Sequence, residues 1–506
     1  MITRVLLFFP LLPLTGLSLP QARDSTQIHT VTVRGVNQLY NLDFQSAEVT
    51  FDSVIVLAPD DPRGHFFKAM VFYWKYILTG DKKLLEIFLQ QSEGVIDRCT
   101  DLLDKNPENG LIKFYLGGIY GYRGLAYQRD GSLLSAVWNG RKGYSYLERA
   151  VNQHQRIYDA QMGFGLFKYL IARVPSSFRW ILNLLGFSGD RETGLQALKL
   201  AADSGTYSRS EAAFFYAQFC YFEDRQEDAY AYLERLLRSH PQNTLFLITY
   251  ASWEFRNNNL ETAMSSAERA IAINTERNIK YGDEFAYSVM AGFHFAQNNF
   301  PKAIEFAERS IENTENKRNV FNNTYYRLGL SYEMTGNRVK AAEVYRKAAK
   351  ADPEDNPWQY HFWRRAQQRI DQPLDVLDSL AVIAGNASTL KQYDKALLIY
   401  QRIIEQTPSP EKQASALYET AGIHFEREQF EQTLQTLERV LDLTLTEETW
   451  IHPHAHLMMA RALKRLGRTE QAMIHLEAIE DFDEYDFQSR IETQAEDELE
   501  KLRGSD

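Results

Sequence analysis

The chain has 506 residues, of which 44% are hydrophobic, and its formal net charge is −11. It is long enough to bury an extended core, and the acidic balance leaves no basic stripe of the kind that tracks phosphates, which excludes nucleic acid as the expected partner.

Met1 to Arg4 supply one positive charge, Val5 to Leu19 form an apolar stretch broken by Pro10 and Pro13, and small residues follow at Gly16, Ser18 and Ala22. This pattern predicts a secretory signal peptide over residues 1–22, cleaved after Ser18 or Ala22. The stretch is too short and too kinked to span a bilayer. No cysteine lies near either site, so lipid attachment there is not expected, and the mature protein is expected in a periplasm or outside the cell.

From about Asp24 the chain reads as paired helices. Ala47, Phe51, Val54 and Pro59 share the spacing of Val95, Cys99, Leu102 and Pro107, and each set marks the second helix of a pair. Gly117 with Gly143, Leu147 and Ala150 reads as a longer pair, and Gly117, Gly118, Gly121 and Gly124 fall at helical spacing that favours close helix crossing over a phosphate loop. Gly163 with Gly194, Leu198 and Ala201 reads as another pair with an insertion between its arms. Residues 24–205 therefore form an irregular region. Cys99 and Cys220, the two cysteines of the chain, fall at interior positions several pairs apart and are expected to be buried free thiols.

Within the insertion, Ser176 to Phe187 predicts a helix that is apolar nearly all round, through Phe178, Trp180, Leu184, Leu185 and Phe187. Such a helix must be covered, either by the long helices around Gly117 to Gly124 or by a partner or lipid surface. In the loop that follows, Asp190 or Ser188 is placed to cap the helix starting near Arg191, and Gly189 allows a tight turn.

A more regular array occupies residues 206–486. Small residues mark it: Ala217, Ala229 and Pro241; Ala251, Ala263 and Ala270; Ala291, Ala303 and Ser310; Ala384, Ala396 and Pro408; Ala421 with Thr433; Ala460 with Ala472. Between the third and fourth of these sets, Tyr325, Leu328, Gly329, Tyr332, Ala341, Tyr345, Ala348 and Pro353 fall at positions 4, 7, 8, 11, 20, 24, 27 and 32 of one unit. That is the full tetratricopeptide signature, in which a small residue on the first helix lets the second approach closely. The fold expected is all-α, a tetratricopeptide-repeat solenoid of about eleven helix pairs.

Asn356 and Pro357 open an extra helix carrying Trp358, Tyr360, Phe362 and Trp363, which ends before Pro373. His452, His454 and His456 alternate, but Pro453 starts a helix there, so three metal ligands on one face are not expected. Ile491, Ala495, Leu499 and Leu502 predict a terminal amphipathic helix within residues 487–506 that caps the solenoid.

The block at residues 162–204 carries a resemblance. Gly163, Gly165, Phe167, Pro175, Leu184, Leu185, Phe187, Gly189, Asp190, Arg191, Gly194 and Leu195 fall where the tetratricopeptide-repeat 39 proteins and the related yeast inclusion-body-clearance protein have similar residues. The resemblance implies a non-enzymatic repeat protein that works through protein or membrane-surface association, with no catalytic residues. The chain departs from those relatives, which are similar to intracellular proteins, in beginning with an export signal.

No nucleophile elbow, paired-cysteine zinc motif, metalloprotease helix or dinucleotide fingerprint is present, so no enzyme, cofactor or metal is expected. First-helix positions expected to face the concave side are aromatic or apolar: Phe214, Tyr221, Ile248, Phe255, Phe285, Phe295, Tyr326, Tyr418 and Phe425. The function expected is an exported scaffold that binds a protein or peptide in this trough. The alternative is a peripheral protein that docks on a membrane surface through residues 176–187. Neither the partner nor the oligomeric state is named by the sequence.

Overall fold

A computed structural model describes residues 20–153, 157–173, 188–314, 322–350 and 357–503. Among these residues the chain is helical, with no strand. The first helices are α1 (Pro20–Tyr40), α2 (Phe44–Leu57), α3 (Pro62–Thr79), α4 (Lys82–Lys105), α5 (Gly110–Asp130) and α6 (Leu133–Gln153). Next come α7 (Tyr158–Ala172), α8 (Arg191–Ser204), α9 (Arg209–Phe222), α10 (Gln226–Ser239), α11 (Thr244–Arg256) and α12 (Leu260–Arg277). They are followed by α13 (Asp283–Ala296), α14 (Phe300–Asn313), α15 (Asn322–Met334), α16 (Arg338–Ala348), α17 (Pro357–Asp371) and α18 (Val376–Thr389). The series closes with α19 (Tyr393–Gln406), α20 (Pro410–Glu426), α21 (Phe430–Leu441), α22 (Ile451–Arg465), α23 (Thr469–Glu477) and α24 (Gln488–Arg503).

The chain forms two compact units, Met1–Phe246 and Leu247–Asp506. The division falls inside α11, downstream of the expected change from irregular to regular pairs at Gly205.

Small residues set the pairing. In the second unit, a methyl group on Gly329 would lie 2.2 Å from Cε1 of Tyr345, and Ala341, Tyr345 and Ala348 are all fully buried. The tyrosine ring thus occupies the space a side chain at Gly329 would need, as the signature requires. In the first unit, α5 and α6 cross backbone to backbone: a methyl on Gly143 would lie 2.8 Å from the Gly121 nitrogen and 3.0 Å from the Gly117 oxygen.

The turn within each regular pair has one recurring geometry. Asp224, Asn258, Asn298, Gly336, Lys391, Glu428 and Gly467 all have positive φ. The next residue's N–H then donates back into the preceding helix, as in Arg225 to Cys220 (2.8 Å), Asn337 to Tyr332 (2.8 Å) and Arg468 to Leu463 (2.9 Å). These bonds satisfy carbonyls that the helix end leaves open. The turn is therefore repeated in geometry although only two of its seven residues are glycine.

The extra helix is α17, and Trp363 Nε1 on it donates to the Ala349 carbonyl at 2.9 Å. The terminal helix is α24, whose Ile491, Ala495, Leu499 and Leu502 are buried in the same core as residues of α22 and α23. Cys99 and Cys220 are free and fully buried. Burial pushes the Cys99 thiol up to about 12, so it carries little thiolate at neutral pH.

Both units close on themselves more tightly than a solenoid whose pairs meet only their neighbours. In the first, Tyr40 at the end of α1 donates to Glu211 on α9 at 2.8 Å, and Asn243 Nδ2 donates to the Tyr40 carbonyl at 2.8 Å. In the second, Asn386 Nδ2 on α18 donates to the Phe295 carbonyl and to Asn298 Oδ1, both at 2.8 Å, and Asn258 Nδ2 donates to the Thr389 carbonyl. Winding brings distant first helices together, and side chains of the turns bond across the gap.

Candidate functional site

Two of the expected groove positions of the second unit, Phe255 and Phe295, lie beside one arginine. Phe255, near the end of α11, lays its ring on the next pair, where a methyl on Gly292 would lie 2.3 Å from the ring carbon Cζ. Arg327 on α15 stands with its guanidinium 5.9 Å from the centre of that ring. Ser288, Gly292, Phe295, Thr324 and Arg327 line one shallow depression. Burial lowers the pKa of the Arg327 guanidinium, and no carboxylate among the described residues pairs with it. A desolvated cation stacked on an aromatic face, with a depression beside it, is a site for an acidic group flanked by apolar ones.

The remaining concave residues have varied fates. Ile248 and Tyr326 are 5% and 7% exposed, so these two expected groove residues belong to the interior. Ile248 fills the space beside Gly282, and Tyr326 packs against Tyr345 and Phe362 with ring centres 6.0 Å apart in each case. Phe214 and Tyr221 are half-buried in the first unit, where Phe214 lies 5.1 Å from Phe246. Tyr418 is half-buried with its ring 5.6 Å from Trp450, and Phe425 packs edge-on to Phe430 at 5.5 Å. Phe295 is half-buried against Phe300 at 5.6 Å, and Phe285 is 40% exposed. The structure thus gathers Phe255 and Phe295 about Arg327 and commits much of the other aromatic surface to packing.

The proposed docking residues Phe178, Trp180, Leu184, Leu185 and Phe187 lie outside the described residues, as does the stretch Met1 to Leu19. On the flank of that insertion, Asp190 is the N-cap of α8 and accepts from the Thr193 N–H at 2.6 Å. Gly189 is required by close approach, since a methyl there would lie 2.2 Å from the Ala172 nitrogen. His452, His454 and His456 fall inside α22, which begins at Ile451, so His452 lies past the cap. Burial pushes His454 and His456 down to about 4, and His456 pairs with His475 at 3.0 Å between Nδ1 atoms. No group of three or more metal-binding side chains is found among the described residues. No described helix is long and apolar enough to cross a membrane.

Two further features were not singled out in the sequence. On α6, Leu133, Leu134, Val137 and Trp138 are exposed, Leu134 by 90%. Their spacing puts Leu134 and Trp138 one above the other on one face. The second feature is a chamber in the first unit, walled by α1, α3, α5, α7 and α9, where the Tyr40 and Tyr122 hydroxyls both donate to Oε2 of Glu211, at 2.8 and 2.6 Å. Burial pushes the Glu211 carboxyl up to about 7, against the opposing effect of the two phenols.

Because the folded state holds that proton more tightly than the unfolded chain, the contribution of Glu211 to stability falls as pH rises from about 4.5 to 7. His240 has the opposite sense, since burial lowers it to about 4 and its cost appears as pH falls. Glu211→Gln removes only the first effect. The stability of this variant relative to the parent chain is expected to rise by about 3 kcal/mol between pH 4.5 and 7.5, measured by urea unfolding across that range. A pH-independent difference would show that the carboxyl ionises normally in the fold.

The helical pairs, their small-residue contacts and their repeated turn define a tetratricopeptide-repeat protein. Residues 152–351 match the family model Iml2/Tetratricopeptide repeat protein 39, so the resemblance carried by residues 162–204 extends through the full-signature pair. The inclusion body clearance protein iml2 of Aspergillus terreus (strain NIH 2624 / FGSC A1156) is 34% identical over 125 residues, covering 21% of this chain and 18% of that protein. Tetratricopeptide repeat protein 1 of Schizosaccharomyces pombe (strain 972 / ATCC 24843) is 26% identical over 134 residues, covering 26% of this chain and 13% of that protein. The matches thus span less than a fifth of either relative's length. Among solved structures, yeast Tom70 aligns over 95% of this chain and 97% of its own at 15% identity, with a TM-score of 0.24.

Proposed function

We propose that the chain is a non-enzymatic scaffold, exported from the cytoplasm, that holds a protein partner on the Phe255, Phe295 and Arg327 face of its second unit. The repeat fold suggests a protein-interaction role. The finer reading rests on Arg327. A guanidinium half-removed from water and left without a described carboxylate is costly unless a ligand completes it, and Phe255 holds it in place beside an apolar depression. The partner segment supplies a carboxylate for Arg327 and apolar side chains for Phe255 and Phe295.

Arg327→Ala is expected to weaken partner binding by at least about tenfold while the melting temperature does not fall, since the substitution removes a desolvated cation that no described carboxylate pairs with. Calorimetric titration of the purified partner into both proteins checks this. Equal affinity for parent and variant would remove the arginine from the interface. The export component predicts that protein recovered outside the cytoplasm begins after Ser18 or Ala22, and amino-terminal sequencing that returns Met1 would end it.

A further inference from the structure

The chamber in the first unit is the inner face of its helical array turned into an enclosure. First helices of successive pairs wall it, and the contact of α1 with α9 through Tyr40 and Glu211 closes it. It contains about 790 Å³ of atom-free space, part of it continuous with solvent. Several waters would fit, but the walls offer them little: Phe66, Met70, Leu166 and Phe167 are typical of the lining.

The polar groups in the chamber are few and distinct. Asp159 is already engaged, accepting from the Thr206, Tyr207 and Ser208 N–H groups at 2.8 to 2.9 Å. Glu211 receives both of its phenols on Oε2, which leaves Oε1 for another donor. Trp74 Nε1 is buried and has no acceptor. The two groups flank the same ring, because Tyr40 bonds to Glu211 and lies 6.4 Å from the Trp74 indole. One acceptor free of a donor and one buried donor without an acceptor, both on residues that line the same apolar chamber, match a group that both donates and accepts. A hydroxyl does this. A carboxylate offers no proton to the Glu211 Oε1 acceptor and meets a like charge there whenever Glu211 is ionised, and a hydrocarbon satisfies neither group.

We infer that this chamber binds a small apolar alcohol, its hydrocarbon body among the aromatic walls and its hydroxyl between Glu211 and Trp74. The inference is independent of the peptide face in the second unit.

Equilibrium dialysis of the full chain against radiolabelled dodecan-1-ol tests it, with dodecane and dodecanoate as competitors. One equivalent of the alcohol is expected to bind saturably, and each competitor to displace it at least about tenfold less effectively than unlabelled alcohol. Glu211→Gln and Trp74→Phe are each expected to weaken binding by about tenfold, with unchanged circular dichroism. Should either variant unfold, the ranking of competitors on the parent chain still decides. Absence of saturable binding, equal displacement by dodecane or dodecanoate, or folded variants that bind as the parent does would each overturn the inference. Arg327→Ala is expected to leave alcohol binding unchanged.

Discussion

Replacing Arg364 by alanine is expected to destabilise the second unit by about 4 kcal/mol, the largest effect of any single substitution considered for this chain. Arg364 on α17 donates through Nη2 to Glu448 and to Asp486, both at 2.8 Å, and His361 Nδ1 approaches the same Asp486 oxygen at 2.7 Å. Glu448 and Asp486 are 8% and 4% exposed, so the substitution removes the cation that bridges two carboxylates held away from water. Burial opposes their ionisation, yet the hydrogen bonds and charges of His361 and Arg364 hold Asp486 below its ordinary range. Arg365, Arg364 and Trp450 do the same for Glu448. With depressed folded values, the stabilisation is complete above about pH 5 and is lost as pH falls through the unfolded-state values of the two carboxyls and below. Urea unfolding with hydrogen exchange read at α17, α22 and α24 should show the loss concentrated there. Arg364→Lys should recover only part of it, because an ammonium does not keep the guanidinium's second contact, from Nη1 to the Glu447 carbonyl at 3.1 Å, alongside the two carboxylates. A loss below about 1 kcal/mol would mean that the network contributes little beyond its own desolvation cost.

Gly194→Ala should cost about 3 kcal/mol in the first unit. The added methyl would lie 2.8 Å from the Tyr169 nitrogen and 2.9 Å from the Gly165 oxygen, both main-chain atoms of α7. A side chain can swing aside, but main chain can yield only if α7 and α8 separate. Gly94 in α4 provides the contrast, since a methyl there meets nothing within 4 Å. Gly94→Ala should therefore stabilise the chain by about 0.5 to 1 kcal/mol through helix propensity alone. Thermal unfolding of the two variants side by side separates packing from propensity, and similar shifts in both would refute the close-crossing account.

The helical pairing was legible because it is written locally. Gly329, Ala341 and Tyr345 sit within one pair, and their contacts follow from spacing along the chain. The same holds for Asp190 as a helix cap and for the glycines of α5. Closure of each unit was not legible. Tyr40 meets Glu211, and Asn386 meets Phe295, through small rotations accumulated over several pairs, which no periodicity in the sequence encodes. For the same reason, Ile248 and Tyr326 were expected in the trough although neighbouring pairs cover them. Arg327 escaped notice because an arginine on a helix reads as solvated unless its burial, with no described carboxylate beside it, is visible. The exposed run on α6 was present as Leu133-Leu134 and Val137-Trp138, but a core-facing stripe has the same appearance in sequence.

Selection of peptides from a random displayed library on the parent chain and on Arg327→Glu tests the scaffold reading most directly. The parent chain is expected to enrich segments that place an Asp or Glu next to aromatic or aliphatic residues, and the charge reversal to abolish that acidic preference while the apolar positions persist. Enrichment of the same acidic segments by both proteins, or of none by the parent chain, would contradict the assignment of Arg327 and its aromatic neighbours as the partner-binding face.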